Sequence, residues 1–497
     1  MRKKISLFAA AIFLGSTFFS FADVKLPALF SDNMVLQRGK SVPIWGWADD
    51  GEKVTVVFRN QKVSTTAKNG KWRVNLSSLK AGGPDIFKVA GKNSVSLTNV
   101  LVGEVWLCSG QSNMEWALRR SYEPNGDIAG SSNALLRFFQ VPNLKSDQPL
   151  DDVKANWKES SPETSPDFSA VGYYFGRDLQ KTLNVPVGLI QSDWGGTPAE
   201  VWTRHEVLEK NPRYKKEIVD AYPAAKERYE QALANFEKAK AEDPNAKGNA
   251  PRPPHKPAEL YNGMIAPLIP YAIKGAIWYQ GEGNAGRAHQ YRTLFPDMIR
   301  NWREDFGQGN FSFLLVQLAP FKAIQDQPVE SDWAELREAQ LHSTKVLPKV
   351  GIAVITDVGQ TDDIHPNKKG PVGGRLALAA RKIAYGEDVV FSGPIYKAMK
   401  VNGDKAILTF DHVGSGLEAR GGELKGFAVC GADKKFIWAD AKIDGDKVIV
   451  SSPDVEKPVA VRYGWADYPV VNLWNKAGLP ASPFRTDDFP MITAPKE

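Results

Sequence analysis

Ser112 is a candidate nucleophile because of its place between two predicted elements. It follows a predicted short buried strand at residues 102–108 and Gly110, and it precedes a predicted helix start. A serine at such a turn places its hydroxyl at the carboxyl edge of a sheet, where open α/β folds bind their ligands. Ser112 with Glu115 three residues later also matches a helix capping box. A catalytic role therefore requires a base and oxyanion donors elsewhere in the chain.

His365 is the candidate base. Among six histidines it alone lies in a loop beyond a predicted strand with carboxylates, Asp362 and Asp363, directly before it. A carboxylate three residues away can share one turn with the imidazole, orient it and stabilise its charged form. Two alternatives stay open. The aspartates could form an Asx turn or cap a helix, and Asp357, Asp362, Asp363 and His365 could together bind a metal ion.

Two further segments offer oxyanion donors. Gly195 and Gly196 follow one predicted strand, and a glycine pair lets the backbone approach a ligand and direct an N–H at it. Asn284 follows another predicted strand, and its side-chain amide could donate to an oxyanion. Ordinary turns would explain the same residues. Together the four segments suit acyl transfer, although Met114 stands where the G-x-S-x-G elbow of α/β-hydrolases needs glycine.

These segments follow the strands of a predicted parallel sheet. From about residue 101, short apolar runs alternate with helical stretches, a pattern typical of strands covered by helices on both faces. We therefore predict a three-layer α/β/α domain over residues 101–388, with a helical insertion at residues 205–260. The predicted strands are residues 102–108, 187–192, 273–280, 311–318 and 350–356, and the predicted helices include residues 170–183, 333–345 and 371–384.

Short alternating β runs lie on both sides of this α/β domain. They occupy residues 23–100 and 389–497, and turn signals such as Asn69-Gly70 and Asn402-Gly403 separate them. This spacing predicts an N-terminal and a C-terminal module that resemble small β-sandwiches. The predicted fold class is therefore α/β, with a central parallel sheet flanked by two β-rich modules.

The first 22 residues have the features of a secretory signal peptide. A basic start at residues 2–4 precedes an apolar run to Phe21 and a small-x-small site ending at Ala22. A membrane anchor is the alternative, but the run is short and polar residues interrupt it. We expect a mature chain in the periplasm or outside the cell, without membrane contact. Its net charge falls from +6 to +3, because residues 1–22 hold three bases and no acid, and nothing indicates nucleic-acid binding.

The chain has two cysteines, Cys108 and Cys430. An exported protein could join them in a disulfide, yet Cys108 ends the buried strand beside the candidate nucleophile. We favour two buried free thiols, while the bridge stays possible.

Several segments resemble the SGNH (GDSL-like) esterase superfamily and, more narrowly, the bacterial sialate O-acetylesterase family. The opening and closing segments of the mature chain share this resemblance, so it spans nearly all of the mature sequence. The segments that carry it are residues 110–116 (GQSNMEW), 192–197 (SDWGGT), 279–284 (YQGEGN), 337–340 (REAQ), 363–368 (DIHPNK), 29–37 (LFSDNMVLQ) and 461–465 (VRYGW).

The resemblance implies a site that needs no cofactor and no metal ion. It implies Ser112 as nucleophile and His365 as base. The implied oxyanion hole consists of the Ser112 N–H, an N–H of Gly195 or Gly196, and the side chain of Asn284.

The resemblance leaves two carboxylates for the third catalytic position. The superfamily's usual acid stands three residues before the histidine, at Asp362, whereas sialate-type members often carry it at the position of Asp363. We favour Asp362. Gln111 and Glu282, which lie in the same motifs, are predicted to bind the substrate.

The implied reaction is hydrolysis of O-acetyl esters of sugars, with O-acetylated sialic acid as the first candidate substrate. Plant polysaccharides such as xyloglucan or xylan are the alternative substrates, and a non-catalytic glycan-binding protein is a further alternative. A site for sialic acid should offer a cation to its carboxylate. Arg119, Arg120 and Arg287 lie near the motifs, although for each of them the position of an ordinary surface residue is the favoured interpretation.

Overall fold

The computed structural model describes residues 23–244 and 247–495, so the predicted signal peptide lies outside the described residues. The first thirteen strands build the N-terminal and central parts of the molecule. They are β1 (Val35–Gln37), β2 (Val42–Trp47), β3 (Lys53–Phe58), β4 (Gln61–Thr66), β5 (Lys71–Leu76), β6 (Gly82–Ala90), β7 (Ser94–Gly110), β8 (Asn133–Gln140), β9 (Trp157–Ser160), β10 (Val187–Asp193), β11 (Gly275–Tyr279), β12 (Ser312–Val316) and β13 (Val350–Ala353).

Nine α-helices lie between these strands or after them in the described part of the chain. They are α1 (Ser112–Glu115), α2 (Pro124–Ala129), α3 (Ala170–Leu183), α4 (His205–Lys210), α5 (Pro212–Tyr214), α6 (Tyr222–Glu242), α7 (Ala288–Phe306), α8 (Asp332–Val346) and α9 (Lys369–Ile383). Short 3-10 or π turns cover Leu118–Arg120, Ala199–Trp202, Lys215–Val219, Tyr261–Ile265, Ala266–Leu268 and Glu282–Arg287. No helix among these residues is long and apolar enough to cross a bilayer.

The central sheet has the strand order β13-β12-β11-β7-β10-β8-β9. All neighbours along this path are parallel except β8 and β9. Strand β7 lies between β10 and β11, and Ser109 pairs with Ser192 on one side and with Trp278 on the other. The last eleven residues of β7 are buried, as expected for a parallel strand that is covered on both faces.

Alternate residues of β7 face two separate cores. Trp106 and Cys108 pack in the core that also contains residues of α3 and α9, whereas Val105 and Leu107 belong to the core that contains residues of α7 and α8. This period of two places one helical layer on each face of the sheet. The structure therefore confirms the predicted α/β class with its central sheet between helices.

Strands β8 and β9 were not predicted from the sequence. Strand β8 contains Arg137, which is only 1% exposed even though it carries a charge. Its guanidinium is accommodated because it donates to the Ala134 carbonyl at 2.8 Å and to the side chains of Asn33 and Asn99 at 3.3 Å. A buried, fully bonded arginine interrupts the apolar pattern by which the other central strands were recognised.

The N-terminal strands are continuous with the central sheet. Strand β6 pairs antiparallel with the first part of β7, and β3 and β4 extend this region, while β2 and β5 form a separate two-stranded sheet. The predicted boundary at residues 100–101 thus falls inside β7. One strand serves both the N-terminal module and the α/β domain, which the change of pattern along the sequence did not indicate.

The C-terminal module consists of three antiparallel sheets around its own core. Cys430 lies buried in this module and Cys108 in β7, and both are free thiols, as the sequence analysis favoured. The strands of the module are β14 (Ile395–Asn402), β15 (Lys405–Asp411), β16 (Leu417–Ala419), β17 (Phe427–Cys430), β18 (Ile437–Trp438), β19 (Asp440–Asp444), β20 (Lys447–Ser451), β21 (Ala460–Tyr463), β22 (Leu473–Asn475), β23 (Leu479–Pro480) and β24 (Phe484–Arg485).

Candidate active site

Ser112 and His365 meet beside the carboxyl end of β7. A hydrogen bond of 2.8 Å joins Ser112 Oγ to His365 Nε2. The turn that presents Ser112 depends on Gly110, whose φ is 140° and whose Cβ, if it had one, would lie 2.2 Å from the carbonyl oxygen of Tyr279. Any other residue would be strained there and would push β7 away from β11. The local sequence therefore positions the hydroxyl through a close strand contact.

Helix α1 begins without a side-chain cap. Gln111 is its N-cap residue and makes no side-chain capping bond, while Ser112 is the first helical residue. The carboxylate of Glu115 accepts the N–H of Gly195 at 2.7 Å. The capping-box alternative for Ser112 and Glu115 is therefore wrong, because each side chain is bonded to a residue far along the chain.

Asp363 is the carboxylate that contacts His365. Its Oδ1 accepts the backbone N–H of His365 at 2.8 Å and lies 3.4 Å from His365 Nδ1. Asp362, which the sequence analysis favoured, is exposed and has no hydrogen bond or ion pair with another described residue. The reason is the tight turn at Asp363, Ile364 and His365, which folds the nearer carboxylate back over the histidine.

The imidazole of His365 is held in a half-buried position. Trp116 stacks on it with ring centroids 5.3 Å apart and 19° between the ring planes. Burial lowers the pKa of His365 below its ordinary 6.5, the charge of Lys369 lowers it further, and the charge of Asp363 opposes both. The ring is therefore largely neutral near pH 7, which is the state that can accept a proton from Ser112.

Two of the three N–H groups predicted as oxyanion donors have no hydrogen-bond acceptor among the described residues. The N–H groups of Ser112 and Gly196 make no hydrogen bond to another described residue. The N–H of Gly195 donates to Glu115 instead, although a Cβ on Gly195 would come within 3.2 Å of Ser112 Cβ. With Glu115 in this position, Ser112 and Gly196 keep N–H groups without an acceptor among the described residues, and the choice between Gly195 and Gly196 stays a prediction.

Asn284 is buried and already makes three hydrogen bonds. Its Oδ1 accepts from the Ala199 N–H at 2.8 Å and from Gln280 Nε2 at 2.7 Å, while its Nδ2 donates to Glu200 at 3.0 Å. One amide hydrogen remains for another acceptor. The bonds fix the amide in one orientation, and its contact with an oxyanion stays a prediction.

Gln111 and Glu282, predicted to bind substrate, bond to the protein in the structure. Gln111 is 3% exposed, and its Oε1 accepts the N–H groups of Gly281 at 3.4 Å and Gly283 at 3.2 Å. Glu282 Oε1 accepts from Asn113 Nδ2 at 2.7 Å. Both side chains therefore hold the turn after β11 against the turn after β7, which differs from the predicted role.

A group of polar contacts links the segments of Ser112 and His365, and we call it the Asn113 clasp. Asn113 Nδ2 donates to Glu282 Oε1 and, at 3.0 Å, to the carbonyl of Ile364, while Asn113 Oδ1 accepts from Lys369 Nζ. Asn113 and Lys369 are both fully buried. Burial lowers the pKa of Lys369 to about 7, and the charges of Glu282 and Asp363 act in the opposite direction.

Asn113, Trp116 and Lys369 were not predicted from the sequence as functional residues. Asn113 and Trp116 stand inside the first motif, so their proximity to Ser112 was the available signal. Lys369 gave none, because a lysine beside Lys368 at a predicted helix start is usually exposed.

The three candidate arginines differ in their partners. Arg119 forms an ion pair with Asp167, and Arg287 forms one with Glu200 at 2.6 Å. Arg120 is exposed, makes no ion pair with a described residue, and lies with its guanidinium carbon 3.9 Å from the centre of the Trp116 ring. It is thus the one of the three whose charge is available beside the Trp116–His365 stack.

The metal-binding alternative finds no support. Asp357 is engaged by Arg375, whose guanidinium donates to both carboxylate oxygens at 2.6 and 2.8 Å. Across residues 23–244 and 247–495 no cluster of three or more His, Cys, Asp or Glu side chains could hold a metal ion.

Known proteins resemble this chain over most of its length. Residues 102–382 match the family model described as carbohydrate esterase, sialic acid-specific acetylesterase. The chain belongs to this family. Its sequence is 30% identical to mouse sialate O-acetylesterase, covering 92% of this chain and 93% of that protein, and 29% identical to the human one, covering 93% and 92%.

A solved structure extends these similarities to the whole fold. A carbohydrate acetylesterase from Xanthomonas citri superposes with a TM-score of 0.83 at 41% identity, covering 94% of this chain and all of the other. The family resemblance predicted from the motifs is confirmed. The chain is a carbohydrate acetylesterase, which is a carboxylic ester hydrolase. Ser112, His365 and the Asn113 clasp all lie within the part matched by the family model.

Proposed function

We propose that this carbohydrate esterase is secreted and removes O-acetyl groups from sialic acid through an acetyl-serine intermediate. The observation that carries the mechanism is the 2.8 Å hydrogen bond between Ser112 Oγ and His365 Nε2, with Asp363 beside Nδ1 of the same ring. Nucleophile, base and orienting carboxylate then stand in the order that acyl transfer requires.

In the first half of the reaction Ser112 Oγ attacks the acetyl carbonyl carbon while its proton passes to His365 Nε2. The N–H groups of Ser112 and Gly196 supply hydrogen bonds to the oxyanion, and the remaining amide hydrogen of Asn284 is a further donor. The carbon–oxygen bond to the sugar then breaks, and the sugar oxygen takes the proton from His365. The sugar leaves, and the acetyl group remains on Ser112.

In the second half water replaces the sugar. His365 Nε2 takes a proton from this water as its oxygen attacks the acetyl-serine carbonyl carbon, and the same oxyanion donors act again. The bond to Ser112 Oγ breaks, the serine oxygen recovers the proton, and acetate departs. Asp363 stabilises the imidazolium in both halves without itself changing protonation.

Two observations support sialic acid as the sugar. The matched family and the mammalian relatives bear its name. The guanidinium of Arg120 beside Trp116, which forms no ion pair with another described residue, offers a charged partner for the carboxylate that distinguishes sialic acid from neutral sugars. A neutral acetylated polysaccharide is the second candidate, because the Xanthomonas citri relative at 41% identity is named for carbohydrate in general. Secretion is supported by the features of residues 1–22.

Acetate release by the purified protein tests the mechanism. Ser112→Ala should lower kcat by at least about 10³-fold on O-acetylated sialic acid, because the nucleophile is removed. Ser94→Ala is the matched control, since Ser94 is exposed at the start of β7, and it should leave kcat unchanged.

The same assay with acetylated xyloglucan compares the two sugars. A higher kcat/KM on the sialic acid ester is expected, and the reverse order would assign the protein to neutral polysaccharides. Ester hydrolysis that is equally fast in wild type and Ser112→Ala would exclude the serine mechanism.

A further inference from the structure

We infer that Lys369 is a positioning residue, which holds Ser112 and His365 together by fixing the orientation of the Asn113 amide. The inference rests on the proposed function, because it assigns Lys369 a task in the serine mechanism. It concerns a side chain that touches neither Ser112 nor the substrate and acts through the Asn113 clasp.

Both amide hydrogens and the amide oxygen of Asn113 are hydrogen-bonded. Its two hydrogens go to Glu282 Oε1 and the Ile364 carbonyl, and its oxygen accepts from Lys369. If the amide turned by 180°, its oxygen would face two acceptors and its NH₂ group would face the Lys369 donor. Lys369 therefore selects this orientation together with the two acceptors, and it is the partner that donates to the amide oxygen.

Asn113 and its bonding partner Ile364 lie directly beside the catalytic pair along the chain. Asn113 directly follows Ser112, and Ile364 directly precedes His365. The 3.0 Å bond from Asn113 Nδ2 to the Ile364 carbonyl thus joins the backbone of the base to the nucleophile's own helix turn. Loss of this bond would free the His365 loop to move from Ser112, although the two segments are 253 residues apart.

Folding stability alone does not explain why Lys369 is buried. The side chain is fully buried between the rings of Trp116 and Tyr279, with Nζ 5.6 and 5.2 Å from the ring centres. It forms no ion pair with a carboxylate of the described residues within 4.0 Å. An apolar side chain of similar length would avoid the desolvation of an amine. Besides its contacts with the two rings, the lysine adds the hydrogen bond to Asn113.

The substitution Lys369→Met tests the inference because methionine keeps the length and removes the donor. We expect kcat on an O-acetyl ester to fall by about 10- to 100-fold, as for a misplaced catalytic group, while KM changes by less than about threefold. Lys368→Met is the matched control. Lys368 is exposed, with Nζ 5.4 Å from the centre of the Tyr122 ring, and its loss should leave kcat unchanged.

A conservative variant separates positioning from charge. Lys369→Gln keeps an N–H donor without a positive charge, so it should restore most of the kcat that Lys369→Met loses. The double variant Lys369→Met/Glu282→Gln removes both buried charges, so it should recover the melting temperature lost by Lys369→Met without recovering kcat. It also provides the test if Lys369→Met alone does not fold.

Three outcomes would overturn the inference. An unchanged kcat in Lys369→Met would show that Asn113 needs no such partner. A kcat that stays as low in Lys369→Gln as in Lys369→Met, or that returns to the wild-type value in the double variant, would assign Lys369 to charge balance with Glu282. All three outcomes are compared with a wild-type activity that depends on Ser112. Failure of the proposed function would appear instead as a wild-type protein without ester hydrolysis, or as full activity in Ser112→Ala.

Discussion

At the scale of single residues, the protonation of His365 determines when the enzyme is active. The base must be neutral, so kcat/KM is full above the pKa of His365 and falls as the pH drops through it. Because burial lowers this pKa, the fall is expected below pH 6.5. Asp363→Asn removes the charge that raises the pKa, so the fall should move to lower pH, and the plateau should drop at least about tenfold because the ring loses its orienting partner.

Asp362→Asn is the matched control for Asp363→Asn, because Asp362 is exposed and makes no hydrogen bond or ion pair with another described residue. Its pH profile should follow that of the wild type. If instead Asp362→Asn lost the plateau and Asp363→Asn kept it, the carboxylate first favoured from the motif would be the catalytic one.

A second prediction at this scale concerns the sugar carboxylate. Arg120→Gln should raise KM for O-acetylated sialic acid about tenfold or more, as expected for the loss of a charge-assisted hydrogen bond, and should leave KM for a neutral acetylated sugar unchanged. Arg119→Gln is the control, because the Arg119 guanidinium is already paired with Asp167. An equal change in KM for both sugars would show that Arg120 does not recognise the carboxylate.

At the scale of elements, the end of β7 is set by one glycine. Gly110→Ala should destabilise the protein by more than about 2 kcal/mol, because alanine is strained at a φ of 140° and its Cβ would collide with the Tyr279 carbonyl. Thermal or denaturant unfolding measures this loss. Gly126→Ala in α2 is the control. Its Cβ would meet no atom within 4 Å, and stability should hold or rise by up to about 1 kcal/mol. Equal stability of the two variants would contradict the close-contact argument.

The elements that could be predicted from the sequence are those whose pattern of apolar and polar residues follows directly from their burial. Five central strands were found because parallel strands buried on both faces appear as apolar runs, and helix α3 (Ala170–Leu183) was predicted with its observed bounds. Strand β8 was missed because its buried Arg137 is compensated by partners elsewhere in the chain.

The same limit applied within the site. Ser112, His365 and the segments near them were recognised from their motifs. The motif named both Asp362 and Asp363, and the turn at residues 363–365 decides which of them contacts His365. The Glu115 bond to Gly195 and the burial of Lys369 depend on the path of the chain in three dimensions. A local pattern contains no information on these contacts.

At the scale of the whole molecule, a buried arginine takes part in the contact between the C-terminal module and the α/β domain. Arg337 is fully buried, and its guanidinium donates to the carbonyls of Leu318 and Ala319 in the α/β domain. It also donates to the carbonyls of Ala466 and Asp467 in the C-terminal module, at 2.6 and 2.8 Å. The charged guanidinium of Arg337 thus bridges the C-terminal module and the α/β domain, and backbone carbonyls of both accept its hydrogen bonds.

Strand β7 joins the N-terminal module to the α/β domain covalently, because this single strand belongs to both. Its first half is paired with β6, and its second half ends two residues before Ser112. Opening the N-terminal strands would remove a partner from the same strand that presents the nucleophile. We therefore expect the N-terminal module and the catalytic sheet to unfold as one cooperative unit, so that the thermodynamic stability of a region remote from the chemistry becomes part of the stability of the active site.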